Sequence, residues 1–350
     1  MILTKRYNIY ISSCCQDGGI YHYRSDGEGN IVLQKKYDMD RPMYLILCGD
    51  KLHCLLRAPF ENSNDSGLIT YQIAEDGSLY NPSKIQSTKG VVACHLAEID
   101  GSVYCVNYVS GSVIKMPDTL DIHEGHGIHE KRQDAAHTHF VCPSPDGKYV
   151  FVTDLGMDKI FVYNKDLTVH STVDMPAGHG PRHLACHPDG KTVFCINELA
   201  STVSVLHYEE GTLTLGDTVS TLPEGFAGES TGAAIRYMDG KVYASNRGHD
   251  SVAVLAYTPD VQPGKGETCS DVQPGKGGSG GDAKPTLKLE KTIPCGGEQP
   301  RDMWVDEEVI ICTNQTSGNV TFISREDDSI LLDLKIPEAL SVECAESLQQ

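Results

Sequence analysis

Arg182 and Glu198 stand sixteen residues apart, at the two ends of a short hairpin in which HLACH turns through Pro188-Asp189-Gly190-Lys191 into TVFCIN. His139 and Arg301 open comparable hairpins elsewhere in the chain, and Arg247 closes another. The chain holds ten arginines, and three of them fall at these positions in an otherwise acidic protein. Guanidinium groups gathered around one carboxylate suit the binding of an anion and the stabilisation of negative charge as it develops. A structural reading competes with this one. An Arg182–Glu198 pair could simply pin two segments together, and His139 could be a satisfied structural histidine. Asn197 and Asn246, in NE and SNRG, read as residues that fix turn backbones. His183 and His187 alternate with apolar positions and read as packing residues.

What must position these side chains is a repeat. Pro181 to Tyr208 reads as three short strands, with apolar alternation bounded by Pro, Asp, Gly and Ser. Thr138 to Tyr163, Thr231 to Tyr257 and Arg301 to Ser324 repeat the pattern, with Asp154, Asn197, Asn246 and Asn314 ending the second run of each copy. Anchors at Ser13, Arg57 and Asn107 extend the series, so the chain predicts an all-β, seven-bladed β-propeller filling residues 1–350 as a single domain. In such a blade the residue opening the first strand and the residue ending the second share one rim. Arg182, His139, Arg301, Glu198, Arg247 and Gln315 are thereby expected at one mouth of the central channel.

The ends of the chain complete the ring. YNIYIS at residues 7–12 matches a second run and has no room for an inner strand before it. EALSVECA, from Glu338 to Ala345, follows the last repeat with nothing left to pair with. A C-terminal strand lent to the N-terminal blade would remove both exposed edges. Residues 260–281 hold a tandem DVQPGKG, at 260–266 and again at 271–277, and read as a flexible loop inserted within blade six.

Composition narrows the function classes. The net charge of −19 argues against nucleic acid and anionic membranes as partners. Thirteen cysteines without paired CxxC spacing predict neither a disulfide framework nor zinc, and thiols kept reduced imply a cytoplasmic protein. The N-terminus carries no long apolar run, so no secretory or spanning segment is expected. His123, His126 and His129 sit among glycines in the polar stretch Asp118 to Ala136 and read as solvated loop histidines.

Several short motifs, taken together, resemble the seven-bladed propeller lactonases, the family of bacterial 6-phosphogluconolactonase and the fungal carboxy-cis,cis-muconate cyclases. They are His137-Thr138-His139 before SPDGKYVFVTDLG, Gly180-Pro181-Arg182-His183, Asn197-Glu198-Leu199, Asn246-Arg247-Gly248-His249-Asp250-Ser251 and Gly297-Glu298-Gln299-Pro300-Arg301-Asp302. Arg132-Gln133 in the long loop fits as well. The likeness is strong over blades four to seven and weaker over the first three. Glu229-Ser230-Thr231-Gly232-Ala233 departs from the family's usual EN-T-A pattern, and the insertion in blade six and the short hairpin of blade seven are further departures.

The resemblance implies a metal-independent enzyme without cofactors that opens a small sugar lactone, an anionic one such as 6-phosphogluconolactone. It places the site at the channel mouth, on His139, Arg182, Glu198 and Arg247; Glu198, the only carboxylate in that group, would be the base, with Arg182 and His139 holding the carbonyl oxygen. Arg247 and Arg301 would grip the anionic tail, with His137 beside them. Two other readings stay open: a muconate-type lactonizing cycloisomerase using the same residues, and a propeller that only binds a partner. One tryptophan, Trp304, and seven phenylalanines leave little aromatic surface for the latter.

Overall fold

The computed structural model describes residues 3–259 and 286–347, and all regular structure in them is β-strand. The inserted segment 260–281 lies outside the described residues. The strands form seven antiparallel sheets arranged as a seven-bladed propeller. Blades three to seven each take four consecutive strands; their innermost strands are Ala93–Ile99, Thr138–Pro143, Pro181–Cys186, Thr231–Met238 and Pro300–Val305. Blade one has Tyr7–Ser13, Gly19–Ser25 and Ile31–Asp38, and Ala339–Glu346 supplies its inner strand. Closure of the ring by the C-terminal segment is therefore as expected. Ala339–Glu346 pairs antiparallel with Tyr7–Ser13, from Tyr7 opposite Glu346 to Ser13 opposite Ala339. Ser12 and Ser341 hydrogen-bond through their hydroxyls at 2.9 Å across that seam.

Blade two departs from the simple four-strand plan. Its inner strand is Pro42–Cys48, and its outer edge is divided between Leu79–Tyr80 and Gln86–Val91, both paired with Asp65–Ile73. Pro82 falls between the two pieces, and a proline cannot donate to a ladder.

Burial follows strand position. The second strand of blade five, Thr192–Asn197, is buried at every residue because a sheet covers each of its faces. The outer strand of blade four, Val169–Asp174, has no buried residue. Side chains on the two faces of each sheet interdigitate with the neighbouring blades, giving seven apolar clusters, one at each junction. Blades four and five, for example, share Phe140, Phe151, Leu184 and Val193. The anchor residues hold the turns. Asn197 donates to Thr202 Oγ1 at 3.0 Å and to Ser204 Oγ at 2.8 Å, and Asn246 donates to the Thr221 carbonyl at 3.0 Å.

One reading is corrected. His123 is not a solvated loop histidine: its Nδ1 meets Asp154 Oδ2 at 2.6 Å and its Nε2 meets the Tyr163 hydroxyl at 2.6 Å, both buried. Residues Thr119–Ile122 form the outer strand of blade three and deliver His123 into the seam with blade four. His126 and His129 are exposed, as expected.

Candidate active site

Each inner strand carries a β-bulge near its start, and the bulge decides what reaches the channel mouth. In blade five Pro181 pairs with Asn197 and His183 with Ile196, so Arg182 is the extra, unpaired residue. The same shift singles out His139 in blade four, Arg301 in blade seven and Cys94 in blade three. Met43 in blade two and Leu340 in blade one occupy the same position, and in blade six the shift spans Ala233 and Ala234. A bulge re-aims its side chain. Here it builds a ring that is apolar on blades one to three and polar on blades four, five and seven.

Above the ring lies a cavity of ≈ 260 Å³ lined by Val92, Cys94, Tyr108, Arg132, His139, Glu198, Arg247 and Arg301. Glu198 and Arg247 arrive from the ends of second strands, as the rim argument requires. Gly180 sets the height of Glu198: its carbonyl accepts the Glu198 N–H at 2.7 Å, and its own N–H is held by Asp158 Oδ1 at 2.7 Å. It sits at φ 66°, and a Cβ there would come 2.8 Å from Leu199 Cγ, so glycine is required twice over.

Glu198 is clamped by three guanidiniums. Arg182 Nε lies 2.9 Å and Arg247 Nη2 2.8 Å from Oε2, while Arg132 Nη2 bonds Oε1. Burial pushes the carboxyl up, but Arg247, Arg182, His139 and Arg132 together pull it far below the usual carboxylate range. Glu198 is therefore ionised at neutral pH. His139 is held well below the usual histidine value, first by burial and then by the charge of Arg182, so its imidazole is neutral; its buried Nδ1 has no partner among the described residues. Burial and the neighbouring Arg247 lower Arg182 to about 9, which leaves it charged at neutral pH. Arg301 faces the cavity without a hydrogen bond or ion pair to any described residue, its value lowered by burial and by Arg247. Four guanidiniums thus surround a single carboxylate, and three of them contact it.

Four of the seven expected side chains line this cavity: Glu198, His139, Arg247 and Arg301. Arg182 lies beneath it, 2 % exposed, with Nη1 donating to the Ala233 carbonyl at 2.8 Å and 3.1 Å from His183 Nε2. His137 is not brought to the cavity. Its Nδ1 is 3.0 Å from the Tyr108 carbonyl, its Nε2 is 3.2 Å from Asp134, and its ring stacks on Tyr108 at 4.4 Å. It braces Tyr108. Gln315 is likewise absent from the lining. Four further residues line the cavity, Val92, Cys94, Tyr108 and Arg132. Tyr108 directly follows the anchor Asn107, as Glu198 follows Asn197 and Arg247 follows Asn246, so the rim rule applied to blade three finds it. Arg132 comes from the loop between Thr119–Ile122 and Thr138–Pro143; the Arg132-Gln133 motif marked it in the sequence, but the rim rule could not place it at the cavity.

Deeper in the channel lies a second polar group. Arg236 Nη2 donates to Asp302 Oδ1 at 2.9 Å, and Glu343, on the closing strand, lies beside them. Burial raises the Glu343 carboxyl to about 8, with Arg236 opposing and Asp302 adding to the rise. A carboxyl whose value is higher folded than unfolded contributes stability below its unfolded value, and that contribution is lost as pH rises through about 8. Glu343→Gln is expected to melt a few degrees higher than the parent at pH 8 and to lose that advantage towards pH 5. A melting difference that stays constant with pH would rule this out.

Among the described residues no three His, Cys, Asp or Glu side chains gather as a metal-ligand set, and no helix is long and apolar enough to cross a membrane. The chain is thus a closed seven-bladed ring with an arginine-rich mouth around one carboxylate. The family model for the seven-bladed β-propeller lactonases matches residues 8–264 and 281–343, and the chain belongs to that family. It is 29 % identical to 6-phosphogluconolactonase of Bacillus subtilis, over 96 % of each chain. Among solved structures, a Lactobacillus plantarum protein superposes with a TM-score of 0.79 at 26 % identity, covering 97 % of this chain and 100 % of that one. The periplasmic gluconolactonase of Pseudomonas aeruginosa matches in fold, with a TM-score of 0.81 at 22 % identity over 98 % and 99 % of the two chains.

Proposed function

We propose that this lactonase hydrolyses an anionic sugar-acid lactone, 6-phosphogluconolactone being the best fit, and that it does so without a metal. The observation carrying this is the charge of the mouth: four arginines against Glu198, in a chain of net charge −19. Such a site concentrates an anion that the rest of the surface repels. Arg301, which has no acidic partner in contact, and Arg247 would take the phosphate or carboxylate tail.

Of the groups lining the cavity, Glu198 and His139 are the two suited to accept a proton from water at neutral pH. We assign Glu198 as the base, with His139 turned to the lactone carbonyl. A carboxylate held so low is a weak base while all three guanidiniums grip it. Arg132 is the partner a substrate can draw off: its side chain is 37 % exposed and comes from a loop. An anionic lactone that engages Arg132 would thus raise the basicity of Glu198 as it binds. Arg182, beneath, acts through Glu198 and is a positioning residue.

The test is a pH-stat assay on a panel of lactones with and without a phosphate or carboxylate, in the presence of EDTA. Proton release should be fastest for the phosphorylated lactone. Arg247→Ala is expected to raise KM for that substrate by about 10–100-fold, the loss of one charge-assisted contact, with kcat little changed. Equal KM values for neutral and phosphorylated lactones would remove the anionic assignment. No turnover of any lactone would remove the hydrolytic one.

A further inference from the structure

We propose that Cys142 and Cys186 are an oxidisable thiol pair, joined as a disulfide across the seam between blades four and five by an oxidant of the peroxide class. The inner strands Thr138–Pro143 and Pro181–Cys186 are neighbours around the channel. Side chains alternate along a strand, so Phe140 and Cys142 share one face, and Leu184 and Cys186 share another. Phe140 and Leu184 belong to the same apolar cluster between these blades, and Cys142 packs against it. Two residues further along each strand, the two thiols therefore converge on the same seam, at the end of the strands away from the catalytic mouth.

The chemistry of the two thiols differs from that of the other described cysteines. Cys54, Cys105 and Cys195 are sealed inside sheets, and burial pushes their thiols up. Cys186 is exposed, and hydrogen bonding with Cys142 pulls its thiol down, while the same interaction and burial push Cys142 up. One thiol is thus accessible and more acidic, and its partner lies in the same seam and interacts with it. That is the arrangement of an attacking and a resolving cysteine. The Cys186 thiolate attacks one peroxide oxygen, breaking the O–O bond to leave a sulfenic acid and, after protonation, water. The Cys142 thiol then attacks the Cys186 sulfur, forming the S–S bond, and the hydroxyl leaves with the thiol proton as a second water. Two thiols are oxidised and one peroxide is reduced. The crosslink would tie together the two blades that carry His139, Arg182 and Glu198.

Treating the native full-length protein with hydrogen peroxide at low excess, blocking free thiols and digesting without reductant tests this directly. The expected result is a peptide pair linked through Cys142 and Cys186, reversed by dithiothreitol, with the other described cysteines blocked as free thiols. Iodoacetamide should label Cys186 faster than any buried cysteine in the parent and more slowly in Cys142→Ala than in the parent. The oxidised protein should also melt higher than the reduced one, because the link constrains the unfolded chain. Conversion of Cys186 to sulfinic acid with Cys142 untouched, or a link from Cys186 to any other cysteine, would overturn the proposal. The wild-type experiment decides the matter even if a variant fails to fold.

Discussion

Glu198→Gln is expected to lower kcat for lactone hydrolysis by about 10²-fold or more, the scale of a lost general base. The amide keeps the size of the side chain and can still accept from one guanidinium at a time, so the cavity retains its shape. It removes the one negative charge facing Arg132, Arg182, Arg247 and Arg301. An anionic substrate then meets a more positive mouth, so KM should stay level or fall. That split, kcat down without KM up, separates a base from a binding residue. Because Arg182 is buried, losing its counter-charge also costs stability, about 3–5 kcal/mol for a broken buried pair. A melting curve must therefore accompany the kinetics, which are read from the folded fraction. Full turnover in this variant would reduce Glu198 to the counter-ion of an arginine cluster. The neutral His139 would then be the base.

Deleting everything after Pro337 should abolish the cooperative unfolding transition. The lost strand, Ala339–Glu346, covers the inner edge of Tyr7–Ser13 and buries Ala339, Leu340 and Val342. Burying Leu340 and Val342 is worth about 1.5–3 kcal/mol each, against about 5–15 kcal/mol for a whole domain. The deletion also removes Ser341, whose hydroxyl holds the Leu45 N–H of blade two at 3.1 Å, and exposes a row of unpaired backbone groups that invites aggregation. Scanning calorimetry of the truncated chain reads this out. An unchanged transition would mean that the ring closes by some other means.

The seven-fold repeat, the C-terminal closure and the residues at the mouth were legible because they are properties of order along the chain. Strand alternation and turn residues are local, and a repeat brings equivalent positions to one rim whatever the details of packing. Glu198, Arg247, His139 and Arg301 could be placed by that rule, and Tyr108 obeys it as well. What the linear order could not give are departures from the ideal ladder and contacts made by loops. The bulges that isolate Arg182, His139 and Arg301 are one-residue register shifts, and they depend on how each inner strand meets the crowded axis. They put His139 and Arg301 into the cavity and Arg182 below it. Arg132 reaches Glu198, and His137 turns to brace Tyr108, because of where one irregular loop packs. His123 reads as a solvated residue in the sequence because only the packing of the outer strand of blade three carries it against Asp154. The order of residues determined the ring and the composition of its mouth, since both rest on local patterning repeated along the chain. The tertiary structure alone decided which side chains face the cavity, because that choice depends on packing between blades far apart in sequence.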